Sequence, residues 1–451
     1  MLQRKISAKL TSFFASNQRK ALLITGARQV GKTYIIRNFA KTAFKSFVEI
    51  NFYENAKLQL LFKECTDAEN LLLRISAVSK SPLLPGNTII FLDEIQECPD
   101  ILTAIKFLVE DGRYSYILSG SLLGIDLKDI RSLPVGYLDI VNMYPMDFEE
   151  FANAHKVSAN VMNALRSAYE NHTEVDPVIH AKMLELFKLY LIVGGMPAVI
   201  AKYLASNDLR QVLDEQRAIV SLYRRDIAKY DQENKLYLEE IFALIPSELN
   251  SRNKRFILKK LNENFKFSRY SHSFLWLRDA GVALPAYCVS EPLVPLMMSK
   301  STNLFKLFLG DVGLLVSMCM NDIQIKILTG DVSINFGSIY ENVTAQELKA
   351  HGFDLYYFNS KKQGEIDFLV EQGGKVLPLE IKSGKNYMRH AALDNLLGNP
   401  DYAIPLGYVF HNDNVKITDK IIYLPIYMLM FLQQETIPAS IVYKPDFSSL
   451  Q

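Results

Sequence analysis

The chain has 451 residues, enough for two or three domains, and its 49% hydrophobic and 22% charged content is ordinary for globular proteins. A formal net charge of +1 leaves no global field to attract nucleic acid or a membrane surface. The four cysteines, Cys65, Cys98, Cys288 and Cys319, lie far apart with no Cys-x-x-Cys pair, which argues against a zinc site or a disulfide framework and fits a reducing cytoplasm.

Met1 to Lys20 alternates charge with isolated apolar residues, unlike a signal peptide. Next comes an apolar run, Ala21-Leu22-Leu23-Ile24-Thr25, which suits a buried strand, and then Gly26-Ala27-Arg28-Gln29-Val30-Gly31-Lys32-Thr33. Helical sequence follows from Lys32 to Ala43. Strand, glycine loop and helix are the context that a phosphate-binding loop requires. Gly26 and Gly31 let successive N–H groups point at phosphate oxygens, and the helix N-terminus adds its partial positive charge. Lys32 is expected to reach the β- and γ-phosphates and Thr33 to hold Mg²⁺, which predicts binding of a nucleoside triphosphate, with ATP and Mg²⁺ as cofactors.

A second strand, Thr88 to Leu92, ends in Asp93-Glu94. In P-loop enzymes an acid at the end of a neighbouring strand holds Mg²⁺, the role expected of Asp93, and a second acid beside it polarises water, the role expected of Glu94 as general base. A third strand, Tyr114 to Leu118, ends at Ser119, a candidate sensor of the γ-phosphate. Residues 1–150 thus alternate strands and helices as a mostly parallel sheet does.

Residues 151–231 read as a helical lid. Residues 152–180 are polar, a surface helix or insertion. The helical pattern from Lys182 to Ala205 breaks at Gly194-Gly195-Met196-Pro197, and an amphipathic helix over 207–230 carries Arg224 and Arg225. Residues 232–292 predict helices over Lys235–Leu249, Arg252–Leu261 and Tyr270–Ala280, then an extended piece over Val282–Val289. That is the make-up of a winged helix. Eight basic residues and one acid between Ser251 and Arg278, with aromatic residues interleaved, predict DNA contact; protein contact is the alternative.

Residues 293–451 hold a third constellation. Glu365 to Val370 and Val376 to Lys382 alternate as strands do, with Gly373-Gly374 as the turn between them. Counting from that turn sets Asp367 opposite Glu380 and Glu365 opposite Lys382. Two carboxylates that close call for a cation between them, and Mg²⁺ is the natural occupant. Lys382 would then orient or deprotonate water, the chemistry of metal-dependent phosphodiester cleavage. A helix over Phe336–Ala350 brings a further acid, Glu341. The longest apolar stretch, Ile421 to Leu432, contains Pro425 and is too short to span a bilayer, so a cytoplasmic protein without membrane contact is expected.

In this order the motifs resemble the bacterial and archaeal AAA-type P-loop ATPases that end in a domain of unknown function with the restriction-endonuclease-like fold. The matching segments are Gly26 to Thr33, Phe91 to Gln96, Leu118 to Leu122, Tyr144 to Phe151, Val193 to Pro197, Tyr223 to Tyr230, Leu275 to Gly281, Lys306 to Leu315 and Gly364 to Lys382. The resemblance implies an α/β multidomain chain: a RecA/AAA-like core, a helical lid, a winged helix and a PD-(D/E)XK-type nuclease-like domain. On that domain Glu341, Asp367, Glu380 and Lys382 match the motif positions. Members often carry a basic residue after a Pro-x-Gly, where a neighbouring subunit's nucleotide would be met. Here Pro134-Val135-Gly136 is followed by Tyr137, so Arg131, Arg224 and Arg225 become the candidate arginine fingers and oligomerisation stays open. Three readings follow: an ATPase switch that governs a nuclease, an ATP-dependent DNA- or partner-binding switch with a silent nuclease fold, and a signalling ATPase with a protein partner.

Overall fold

The computed structural model describes all residues except 1, 17, 64–66, 121–135, 231–234, 252–254, 257–266, 320–322, 330–335, 436–441, 443 and 445–451. Of the predicted helix over Arg252–Leu261 only Arg255 and Phe256 are described; they are not helical, and Phe256 N donates to Phe305 O at 3.0 Å. The finger candidate Arg131 and most of the basic residues between Ser251 and Arg278 lie outside the described residues.

The N-terminal sheet contains β1 (Ala21–Thr25), β2 (Ser46–Asn51), β3 (Thr88–Asp93), β4 (Ser115–Gly120) and β5 (Leu138–Asn142), in the order β2-β3-β4-β1-β5. All of its pairings are parallel. β1 and β3 are buried along their whole length, which is why they read as unbroken apolar runs. β2 alternates buried and half-buried residues at the sheet edge. This parallel α/β sheet sets the C-terminal ends of β1 and β3 side by side with β4 between them. The loops carrying Lys32, Asp93 and Ser119 meet there.

Between Phe148 and Tyr230 the described chain is built of helices joined by short turns. The polar stretch over 152–180 is not purely surface: its helix Ala159–Asn171 buries Met162, Leu165 and Ala168. The break at Gly194 separates helices Pro177–Val193 and Pro197–Ser206, which meet at 119°. Among the described residues no single helix is long and apolar enough to cross a membrane.

Eight strands form the second sheet: β6 (Ala283–Val289), β7 (Lys300–Leu309), β8 (Tyr356–Ser360), β9 (Gly364–Gln372), β10 (Lys375–Ile381), β11 (Gly407–His411), β12 (Lys416–Ile417) and β13 (Ile421–Pro425). Their order is β12-β13-β11-β10-β9-β8-β6-β7. The boundary expected at residue 292 falls inside this sheet. β6 pairs antiparallel with β7 and parallel with β8, so the extended piece after helix Phe267–Asp279 is built into the C-terminal sheet. The register of β9 and β10 is the one counted from the sequence, with Gln372 opposite Lys375 and Val370 opposite Leu377. Pro378 sits mid-strand in β10 between β9 and β11, where the sheet loses one amide donor.

Helix Phe336–Ala350 lies at the centre. Ser338 to Leu348 are all buried, polar residues included; Glu341, Asn342, Gln346 and Glu347 find partners on other elements, while Thr344 Oγ1 donates to Tyr340 O of its own helix. Asn342 accepts from Leu309 N at 2.7 Å and donates to Leu309 O at 3.1 Å, and Gln346 accepts from Val312 N at 2.8 Å. One hydrophobic cluster runs from Ile6 and Leu22 through Phe187 and Val343 to Phe368 and Leu432, joining both sheets through the lid and this helix.

Candidate functional site

The loop after β1 has the backbone a phosphate cradle needs. Gly26 (φ 140°) and Gly31 (φ 95°) lie where side chains are disfavoured, and a Cβ on Gly26 would stand 2.1 Å from Met143 O. Lys32 opens the helix Lys32–Ala43, with its Nζ donating to Gly26 O at 2.8 Å and Ala27 O at 2.9 Å. The amine is thus folded over its own loop and nearly buried. Burial pulls its pKa down to about 8, against the pull of Glu94 and Asp93. Phosphate oxygens would offer that ammonium the charge it lacks.

Thr33 Oγ1 donates to Asp93 Oδ2 at 3.1 Å, so hydroxyl and carboxylate face one another as a shared Mg²⁺ would require. Asp93 is buried at the end of β3. It accepts from Asn51 Nδ2 at 3.1 Å, from Glu94 N at 3.2 Å and, in a short bond, from Ser119 Oγ. Burial raises its pKa, partly offset by Ser119 and Thr33. The geometry fits a hard cation at Thr33 and Asp93, which would screen the phosphate charge. Ser119 is wholly buried and holds Asp93; its hydroxyl reaches the site through that carboxylate.

Glu94 takes left-handed backbone (φ 56°), hydrogen-bonds Gln96 Nε2 and lines a cavity of about 500 Å³ together with Arg28, Lys32, Thr33, Arg37 and Tyr53. A carboxylate facing the phosphate loop across open space suits a base acting on water. Arg224 and Arg225 are exposed on helix Leu209–Tyr230 and line neither this cavity nor the one beside it. Arg28 does line it, paired to the buried Asp226 of that helix, while Tyr223 OH donates to Arg28 O at 3.0 Å. Arg37, held by Glu49 at 2.6 Å, was not singled out from the sequence; its only signal is its place one turn after Thr33. On the other side of Gly31 and Tyr34 lies a largely apolar cavity of about 660 Å³, lined by Leu2, Gln3, Ile35, Pro197, Ala201 and Leu204.

The hairpin residues also converge. Lys382 Nζ lies 2.6 Å from Glu380 Oε1, rather than reaching across to Glu365, and Asp367 Oδ2 accepts from Ile381 N at 2.9 Å. Glu380 is buried, and burial raises its pKa against the pull of Lys382. Glu341 joins them from the central helix. The residue that sequence reasoning missed as a site residue is Lys306 of β7, fully buried, with Nζ 2.8 Å from Glu365 Oε1 and 3.3 Å from Glu341 Oε2. A lone lysine in the apolar run Phe305-Lys306-Leu307-Phe308-Leu309 was the available signal, because a buried ammonium needs carboxylates. A divalent cation does not fit where that ammonium already stands. Among the described residues no group of three or more His, Cys, Asp or Glu is arranged to hold a metal ion.

With its parallel sheet, glycine loop and paired Thr33 and Asp93, the N-terminal part is an AAA-type P-loop ATPase core. Residues 18–152 match the AAA domain family. Residues 184–324 and 336–429 match two families described as domains of unknown function, DUF8612 and DUF4143. No curated protein matches the sequence. Similar solved structures include the Walker-type ATPase of Pyrococcus abyssi, 14% identical over 70% of this chain and 96% of its own, with a TM-score of 0.41. The ORC2 protein of Aeropyrum pernix is 12% identical over 72% of this chain and 91% of its own, with a TM-score of 0.36. The ORC1 protein of the same organism, solved in complex with DNA, is 12% identical over 73% and 91%, with a TM-score of 0.24.

Proposed function

We propose that the protein is an ATP-hydrolysing switch that moves its lid and a nuclease-like C-terminal domain between two arrangements, in the cytoplasm, with DNA or a protein as the partner it engages. The observation that carries the nucleotide half is the placement of Thr33 Oγ1 against Asp93 Oδ2 beside the Lys32 loop. In this reading the phosphates lie along 26–33, Mg²⁺ sits between Thr33 and Asp93, and Glu94 takes a proton from the attacking water. The base enters the apolar cavity between the N-terminal segment and helix Pro197–Ser206, where Leu2, Ile35 and Leu204 exclude water from it. Arg28 leans toward the phosphates, and its Asp226 partner transmits that motion to the lid.

The C-terminal half supports two readings, a metal-dependent nuclease under ATP control and a binding domain that keeps the nuclease-like fold without cleavage. Lys306 favours the second, because it supplies the positive charge that a metal would bring. The catalytic assignment is tested by turnover and by nucleotide binding. Lys32→Ala is expected to abolish binding or turnover. Glu94→Gln is expected to keep ATP bound while its turnover falls by about 10²–10⁴, the usual contribution of a general base. Undiminished turnover in Glu94→Gln removes that residue from the base role.

A further inference from the structure

Lys306 stands mid-strand on β7, opposite Ala286 of β6, and its side chain is 0% exposed. An ammonium taken out of water is stable only among groups that replace its hydration. Here those groups are Glu365 Oε1 at 2.8 Å, Glu341 Oε2 at 3.3 Å and Asp367 Oδ1 at 4.0 Å, with the Tyr357 ring centroid at 5.1 Å. Burial works against its charge, yet the three carboxylates outweigh burial and hold its pKa above the ordinary lysine value.

Two of these acids, Glu341 and Asp367, were expected from the sequence to be metal ligands; the third, Glu365, was expected to face Lys382. A hard divalent cation takes carboxylate oxygens at about 2.0–2.6 Å, so it would occupy the centre that the ammonium now fills. The two cations would repel strongly in so buried a place. Nor has Lys306 another place to go. Its strand is pinned by β6, and the flanking Phe305 and Leu307 are buried in the common core.

We propose that Lys306 is an internal cation that stands in for a divalent metal, so that Glu341, Glu365 and Asp367 are neutralised by the protein itself and take neither Mg²⁺ nor Mn²⁺. Removing the ammonium while keeping most of its stem, as in Lys306→Met, whose side chain ends one atom short of Nζ, leaves the three acids without a cation and frees the ammonium's place, where they can close on a metal ion. The substitution therefore creates a metal site. This inference does not depend on the nucleotide site being active.

The test uses the nucleotide-free full chain with Mn²⁺ as the probe, following free Mn²⁺ by electron paramagnetic resonance and stability by thermal melting. Four proteins are compared: wild type, Asp367→Asn, Lys306→Met and the double variant Lys306→Met/Asp367→Asn. Any Mn²⁺ held at Thr33 and Asp93 is common to all four and cancels. Wild type and Asp367→Asn are expected to give the same Mn²⁺ titration. Lys306→Met is expected to melt lower than wild type in metal-free buffer. It should then gain one Mn²⁺ site, at least about tenfold tighter than any in wild type, whose filling raises its melting temperature. The double variant should lose that site. The proposal is overturned if wild type holds a Mn²⁺ ion that Asp367→Asn weakens about tenfold or more, or if folded Lys306→Met gains no site. Should Lys306→Met fail to fold even with Mn²⁺, the comparison of wild type with Asp367→Asn decides by itself.

Discussion

Glu347 sits wholly buried on the central helix, where Oε1 accepts from Phe148 N at 2.9 Å and lies 2.9 Å from Tyr190 OH. Its other oxygen has no hydrogen-bond partner and lies 3.7 Å from His351 Nε2. Burial, and then the charge of Asp147, push its pKa up to about 7. Because the folded value lies above the ordinary 4.5, the folded chain binds the proton more tightly than the unfolded one. Stability therefore falls as pH rises from about 4.5 through 7, and the loss is complete above that. Asp147 contributes outside this window. Burial opposes its charge, but His351 and Lys5 outweigh burial and hold it below the usual carboxylate range. Glu347→Gln keeps an acceptor for Phe148 N and removes the titration. Chemical denaturation at pH 5 and pH 8 should show the variant losing about 1–3 kcal/mol less than wild type between the two. Equal losses in the two proteins would exclude this carboxylate as the source.

At the scale of elements, a partly buried ion pair and a hydrogen bond join the lid helix Leu209–Tyr230 to the phosphate loop. Arg28 binds Asp226, and Tyr223 OH donates to Arg28 O. An arginine lining the phosphate cavity cannot give its full fork to both Asp226 and a phosphate, so the two compete. Asp226→Asn weakens the hold of the lid. It is expected to tighten ATP binding several-fold by calorimetry, while Arg28→Ala weakens it. Looser binding by Asp226→Asn would show that the pair supports the loop rather than restraining it. Sequence reading had Arg28 as a phosphate-loop residue and singled out Arg224 and Arg225 on the helix, with no role for Asp226. The meeting of Arg28 with Asp226 is a tertiary fact.

For the whole molecule the decisive feature is a junction where three segments touch at Gly194-Gly195. Gly195 N donates to Asp311 Oδ2 at 2.6 Å, and Gly195 O accepts from Met146 N at 2.7 Å. A Cβ on Gly195 would stand 2.2 Å from Met146 O, a backbone atom that cannot swing away. Gly195→Ala is therefore expected to cost roughly 1–3 kcal/mol or more. Because one core joins both sheets through this point, the effect should spread over the chain. The single tryptophan, Trp276, reports the region before β6, and ATP protection against heating reports the phosphate loop. Both midpoints should fall together in Gly195→Ala. A fall in one with the other unmoved would mean that the two halves melt separately.

Much of this was legible along the chain because it rests on local rules. The phosphate loop needs particular residues at fixed spacing between a strand and a helix. The β9–β10 register follows from a two-glycine turn and the two-residue period of a strand, and the central helix was bounded correctly at Phe336 and Ala350. What local rules cannot supply is which distant polar groups share one buried space. Helix 336–350 reads as half polar, and only packing reveals that Asn342, Gln346 and Glu347 are buried because Leu309, Val312 and Phe148 meet them. The boundary drawn at residue 292 fell within a sheet for the same reason, since β6 pairs with β8 across more than sixty residues of chain. Lys306 shows the division most sharply. A lysine in an apolar strand has to find carboxylates, but that Glu365 and Asp367 of the hairpin and Glu341 of the central helix are the ones was decided by the order of strands β9, β8, β6 and β7 and the packing of that helix.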